Sequence, residues 1–313
     1  MPNIGGWSAR WTVPVPHGIL PVMPQSKPRD DQLDVYGLTH TGKLRKENQD
    51  HFLICSLGQQ VTVHLTSLPD VGSLTRQRLT MTAPEERLAF LAMVADGVGG
   101  GQRGADASRI AVEAVTQYVA EAVRAFYASG DTSGEAFGAA LQEAALRSHA
   151  DIVRAGEADP TRAGMATTLT LWLGVWPDAY LLQLGDSRCY VLREGALMQV
   201  SRDQTMAQEL LDSGALSRTE AGQSRFAHIL SSSLGGSQTA PVVTRMEQRW
   251  GQVGLLCSDG LTKHVSDERI RDVLQQMISA RQACELLLEE ALAGGGSDNI
   301  TIVIGRAVQL KTN

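Results

Sequence analysis

The sequence predicts an α+β fold: two antiparallel sheets packed face to face, with helices on the outside. Three observations predict it. Strand-like runs, a helix pair, more strands, a second helix pair and a last strand follow one another without regular β–α alternation. The central strand runs are joined by tight turn dipeptides, the mark of antiparallel neighbours. The 43% apolar content supports a substantial core, and with only 5% aromatics that core must be mostly Ala, Val, Leu and Ile. A length of 313 residues permits two domains or one large one.

Residues 1–32 hold six of the eleven prolines and read as a Pro-rich N-terminal extension. Trp7 and Trp11 either anchor it to the domain or travel with a mobile tail. The domain proper is expected over 33–308. DVYGLTH (34–40) alternates like a strand, and 50–57 gives a second. Residues 58–87 include the β-rich VTVHLTSL and a polar stretch, read as a hairpin extension or loop. LAFLAMVA (88–95) is a buried strand.

Helices are expected over 104–128, with Ala111, Val115, Val119, Ala122 and Phe126 on one face, and over 135–155, with Phe137, Leu141, Ala144, Ala145 and Ile152. DTSG (131–134) separates them. TLTLWLGVW, AYLLQLG, RCYVLR and ALMQV then form an antiparallel meander, with turns at Pro177-Asp178, Gly185-Asp186 and Glu194-Gly195. The polar stretch 202–239 is an irregular excursion with short helices near 205–213 and 217–222. Strands near 241–248 and 253–258, helices in 266–278 and 280–293, and the strand NITIVIGR complete the chain.

The net charge of -6, with both signs interspersed and no basic block, argues against nucleic acid as a partner. No apolar stretch reaches the roughly 18 residues of a membrane span. Residues 1–32 lack a basic start followed by an apolar segment, so no secretory leader is expected. Cys55, Cys189, Cys257 and Cys284 have no CxxC spacing, which points to reduced thiols and a cytoplasmic location.

Four aspartates carry the chemical signal. Asp96, Asp186 and Asp259 end apolar strand-like runs, and Asp298 begins one. Carboxylates at strand ends can converge at one rim of a sheet structure, where they suit a hard divalent cation. An isolated Asp-Gly is usually only a turn, so the spacing alone leaves the metal reading open. His149 reads as an ordinary helix residue.

TGKLRKENQD (41–50), VADGVGG (94–100), MATTL (165–169), LGDSRCY (184–190), LCSDGLT (256–262) and SDNIT (297–301) occur in this order. Together they resemble the metal-dependent protein serine/threonine phosphatases of the 2C (PPM) family, in its compact bacterial branch. The resemblance implies an αββα sandwich and hydrolysis of phosphoserine and phosphothreonine in proteins, by in-line attack of a water that bridges two Mn²⁺ or Mg²⁺ ions. By position, Asp96 would bridge the two ions, the Gly97 carbonyl would bind the first, and Asp259 and Asp298 the second. Asp186 would help hold a third, weaker ion with Asp259. Asp50 would hold water on the metals without binding them itself, and Arg45 would grip the phosphoryl group with its planar fork. The excursion 202–239 matches the family's flap beside the active site. A monomer acting on phosphoproteins alongside a serine/threonine kinase is also implied.

The sequence departs from the family pattern in places. Val98 stands where many eukaryotic members carry a histidine that acts as leaving-group acid. Ala166 replaces the usual Gly, and Lys263 follows DGLT where a polar or acidic residue is frequent. Neither Ala166 nor Lys263 is expected to touch a proposed ligand. Two other readings are a catalytically inactive relative used as a scaffold and a phosphohydrolase of small molecules.

Overall fold

The computed structural model describes residues 26–75, 87–100, 102–130 and 134–309. The chain opens with β1 (Leu33–His40), β2 (Asp50–Leu57), β3 (Val61–Thr66), a single turn α1 (Gly72–Thr75) and β4 (Ala89–Val98). The helix pair α2 (Gln102–Ser129) and α3 (Gly134–Ala158) follows, then β5 (Ala166–Thr167), β6 (Leu169–Val175), β7 (Asp178–Leu184), β8 (Arg188–Arg193) and β9 (Ala196–Gln199). The excursion carries α4 (Met206–Asp212) and α5 (Arg218–Gln223). Last come β10 (Val242–Glu247), β11 (Val253–Cys257), the turn α6 (Asp259–Thr262), α7 (Asp267–Gln276), α8 (Ala280–Ala293) and β12 (Ile300–Ala307). Much of the expected extension, most of DTSG and the polar part of 58–87 lie outside the described residues.

The strands form two antiparallel sheets. One has the order β1-β12-β11-β8-β9; the other runs β10-β7-β6-β4-β2-β3, with β5 paired to β4. Three apolar layers hold them. Phe52, Ile54, Val94, Leu181, Leu256 and Val303 interdigitate between the sheets. Ala111, Val115, Val119, Phe137, Leu141 and Ile152 cover the outer face of the second sheet. Ile270, Leu274, Cys284 and Leu287 cover the first. This is the αββα sandwich. Both helix pairs bury the stripe that a 3.6-residue period selects, and the Ser266 and Ser279 hydroxyls cap α7 and α8 by accepting from Arg269 and Gln282 N–H groups.

One expectation is corrected. The strands from 168 to 200 are not one meander: β6 and β7 pair in the second sheet, while β8 and β9 belong to the first. The chain changes sheets at Gly185-Asp186-Ser187, where Gly185 takes a φ of 91°. Residues 179–184 are buried on both faces, so the run carries no alternation to say which sheet its successor joins. All four cysteines are reduced and buried.

Candidate metal centre

The acids gather at one rim because strands from both sheets end there. Asp50 opens β2 and lies directly opposite Asp96 in the β2–β4 ladder. Like charges placed directly opposite in a sheet are destabilising, so this pairing serves something other than stability. Asp96 precedes the end of β4 by two residues, Asp259 follows β11 by two, and Asp298 precedes β12 by two. Asp186 stands at the change of sheets. The carboxylates are close enough to act on one another: burial first, then the charges of Asp50, Asp259, Asp186 and Asp298, push Asp96 well above the usual carboxylate range. Burial raises Asp50 to about 6, against hydrogen bonds from Thr301 and Ser258 that favour its charge. Burial and the Asp259 charge raise Asp186 to about 7.

Asp50 is only 2% exposed. Its Oδ2 accepts from Ser258 Oγ and Thr301 Oγ1, both at 2.7 Å. Its Oδ1 is buried with no hydrogen-bond partner among the described residues, as is Asp259 Oδ1. Buried carboxylate oxygens without partners are costly and mark a place built to face something else.

Two cations reach into the cluster. Arg45 holds Asp298 bidentately, Nε to Oδ1 at 2.7 Å and Nη2 to Oδ2 at 2.9 Å. Lys263 Nζ lies 2.6 Å from Asp259 Oδ2 and 2.8 Å from Asp298 Oδ2. This overturns the expectation that Lys263 stands clear of the proposed ligands. Burial raises the Asp298 pKa, but the hydrogen bonds of Arg45 and Lys263 outweigh it and leave the carboxyl below its ordinary value. Among the described residues no three acid, His or Cys side chains are grouped to enclose an ion as they stand.

The backbone around the acids is tightly fitted. A Cβ on Gly97 would lie 2.2 Å from the Gly104 carbonyl, so α2 starts against the Asp96-Gly97 strand end. A Cβ on Gly42 would lie 2.1 Å from the Asp298 carbonyl, and the Lys43 N–H donates to Gly296 O at 2.7 Å. Asn299 completes this clasp: its Oδ1 accepts from Gln49 N–H at 2.8 Å, and its Nδ2 donates to the Thr41 and Glu47 carbonyls at 2.9 and 3.0 Å. The loop bearing Arg45 is thereby tied to the segment bearing Asp298. The sequence offers no signal for the Asn299 role beyond its place in SDNIT.

The polar excursion is anchored. Leu234 and Thr167 exchange backbone hydrogen bonds, 2.9 Å each way. His149, read as an ordinary helix residue, accepts at Nδ1 from the Gly235 N–H at 3.0 Å and lies 2.8 Å from Thr239 Oγ1. Ala166, the other departure, sits in the short strand β5 against Val98.

The family model for protein phosphatase 2C matches residues 72–294. The chain belongs to the protein phosphatase 2C family. Arg45, Asp50 and Asp298 lie outside the matched stretch of this 2C-family chain. The serine/threonine protein phosphatase PstP of Mycobacterium tuberculosis is 36% identical over 220 residues, covering 70% of this chain and 41% of that protein. The chain thus spans about two fifths of that relative's length. The serine/threonine phosphatase stp of Listeria monocytogenes is 29% identical over 215 residues, covering 68% of this chain and 83% of that protein. The crystal structure of the PstP catalytic domain in complex with two manganese ions superposes with a TM-score of 0.63 at 30% identity, covering 88% of this chain and 99% of that one.

Proposed function

We propose that this 2C-family chain is a metal-dependent protein phosphatase that hydrolyses phosphoserine and phosphothreonine in proteins. The observation that carries the reading is the pair of buried, unpartnered oxygens, Asp50 Oδ1 and Asp259 Oδ1, in the cluster around Asp96. Several anionic oxygens forced together, with neither thiolate nor imidazole among them, fit Mn²⁺ or Mg²⁺. Asp96 would be shared by two ions, with the Gly97 carbonyl on the first, Asp259 and Asp298 on the second, and Asp186 with Asp259 on a third. Ions bound there supply an acidified water and neutralise the charge of a phosphomonoester dianion.

The chain's own residues do the rest. Ser258 and Thr301 fix Asp50 through Oδ2 and leave Oδ1 to orient a water. Arg45, with 54% of its side chain exposed, stands at the mouth. Its fork already grips a carboxylate bidentately and offers the same geometry to two phosphoryl oxygens. The flap tied down by His149 and Thr167 borders the same rim and would meet the substrate chain.

The catalytic unit would run over residues 33–308, with 1–32 as a Pro-rich extension. Phosphoproteins of a serine/threonine kinase signalling system are the proposed partners, and the cytoplasm the proposed location. Among the described residues no helix is long and apolar enough to cross a membrane. The test is release of phosphate from a phosphothreonine peptide with Mn²⁺, and its loss with a chelator. Full turnover by metal-stripped protein would refute the reading, and a strong preference for free phosphometabolites would redirect it to small molecules.

A further inference from the structure

We propose that Lys263 is a built-in counter-cation that competes with the second metal ion for Asp259 and Asp298. This rests on the metal reading above and adds a control on how the site fills. The ammonium bridges one oxygen of each carboxylate, at 2.6 and 2.8 Å. Its place is fixed by the fold: Lys263 ends the turn α6 that Asp259 begins, and its N–H donates to the Asp259 carbonyl at 2.9 Å. The i,i+4 spacing lays the side chain back over Asp259, and Asp298 arrives from the segment before β12. The side chain keeps 25% exposure, so it has an open path to swing outward.

A divalent ion held by Asp259 and Asp298 would lie beside the ammonium that already occupies one oxygen of each carboxylate, and two cations repel at such separation. Among the described residues no cationic side chain makes an ion pair with Asp96. The two ions would therefore bind in steps, the first on Asp96 and Gly97 and the second only as Lys263 is displaced. The same contact has the opposite effect without metal, where the ammonium offsets the repulsion between two partly buried carboxylates. Lys263 thus stabilises the metal-free chain and raises the metal concentration needed for full occupancy.

The experiment is calorimetric titration with Mn²⁺, with melting temperatures in chelator, for the parent, Lys263→Met and Lys263→Arg. Methionine keeps the stem and removes the charge; arginine keeps the charge. The parent is expected to show two separated binding steps. In Lys263→Met the second should tighten on the order of tenfold, while the chelated protein melts lower than the parent. Lys263→Arg should resemble the parent. A side chain that merely supports the fold would weaken both stability and metal binding when removed. A second step unchanged or weaker in Lys263→Met overturns the inference and leaves the metal site standing. A parent that binds no Mn²⁺ overturns the metal reading itself, and the inference with it.

Discussion

Gly260 is pressed against Asn299: a Cβ on Gly260 would lie 1.9 Å from the Asn299 carbonyl oxygen. That contact is between backbone atoms, so no side-chain rotation relieves it. It sets the turn after Asp259 beside the residue following Asp298, and so brings the two carboxylates to a common cation.

Gly260→Ala is therefore expected to force the α6 turn away from β12. Overpacking of this kind costs about 1–3 kcal/mol, and the pair that shares Lys263 would separate. Thermal unfolding should show the loss, and Mn²⁺ titration should show weaker binding of the second ion. Unchanged melting and metal affinity would mean that the two segments are free to part.

If Asp96 is shared by two ions as proposed, Asp96→Asn should cut turnover on the order of 10²- to 10³-fold or more, because one neutral oxygen would not compensate two divalent ions. The fold should survive. In chelator this variant should melt higher than the parent, since burial first, and then the charges of four other acids, raise the Asp96 pKa. Normal turnover, or a lower melting temperature in chelator, would show that Asp96 does not bear the crowded charge.

Arg45→Ala should lower kcat/KM on a phosphothreonine peptide by roughly 30-fold, the lower end of what losing one partner of a charge pair costs. The lower end is expected because Arg45 is more than half exposed and exchanges one anion, Asp298, for another. Arg45→Lys should recover part of the loss, since ammonium keeps the charge without the fork. A change within about twofold for Arg45→Ala would reduce it to a surface charge.

The pH dependence of stability follows from the buried acids. Burial first, and neighbouring carboxylates with it, raises Asp50 to about 6 and Asp186 to about 7. A raised pKa means that the folded, metal-free chain holds protons that the unfolded chain releases from about pH 4 upward. The contribution of these two groups to stability is thus greatest below that point and is lost as pH rises through 6 and 7. Bound cations relieve the same repulsion, so the gap in melting temperature between Mn²⁺-loaded and chelated protein should widen from pH 5 to pH 7.5. A gap that stays flat or narrows would contradict these shifts.

The helix pairs were legible in the sequence because a 3.6-residue apolar stripe is a local property, and Phe137, Leu141 and Ile152 are buried as that period requires. The rim acids were legible because each sits in a short word at the end of an apolar run. What escaped depends on contacts between distant segments. The change of sheet at Gly185 is invisible in a strand buried on both faces. Lys263 looks like one more solvated charge until β12 brings Asp298 beside it. Ser258 and Thr301 are plain hydroxyl residues in sequence, and only the packed sandwich aims both at Asp50.

The strand order of the first sheet also dictates when the site can exist. β12 is the last of the described strands to be made, yet it lies between β1 and β11. As the ribosome releases the chain, β1 has no neighbour in its own sheet among the described strands until β12 arrives. Asp298, the clasp on the Arg45 loop and the partner hydroxyl of Thr301 all come with that strand. A partly synthesised chain therefore cannot assemble the rim of acids, which closes only when β12 enters the sheet.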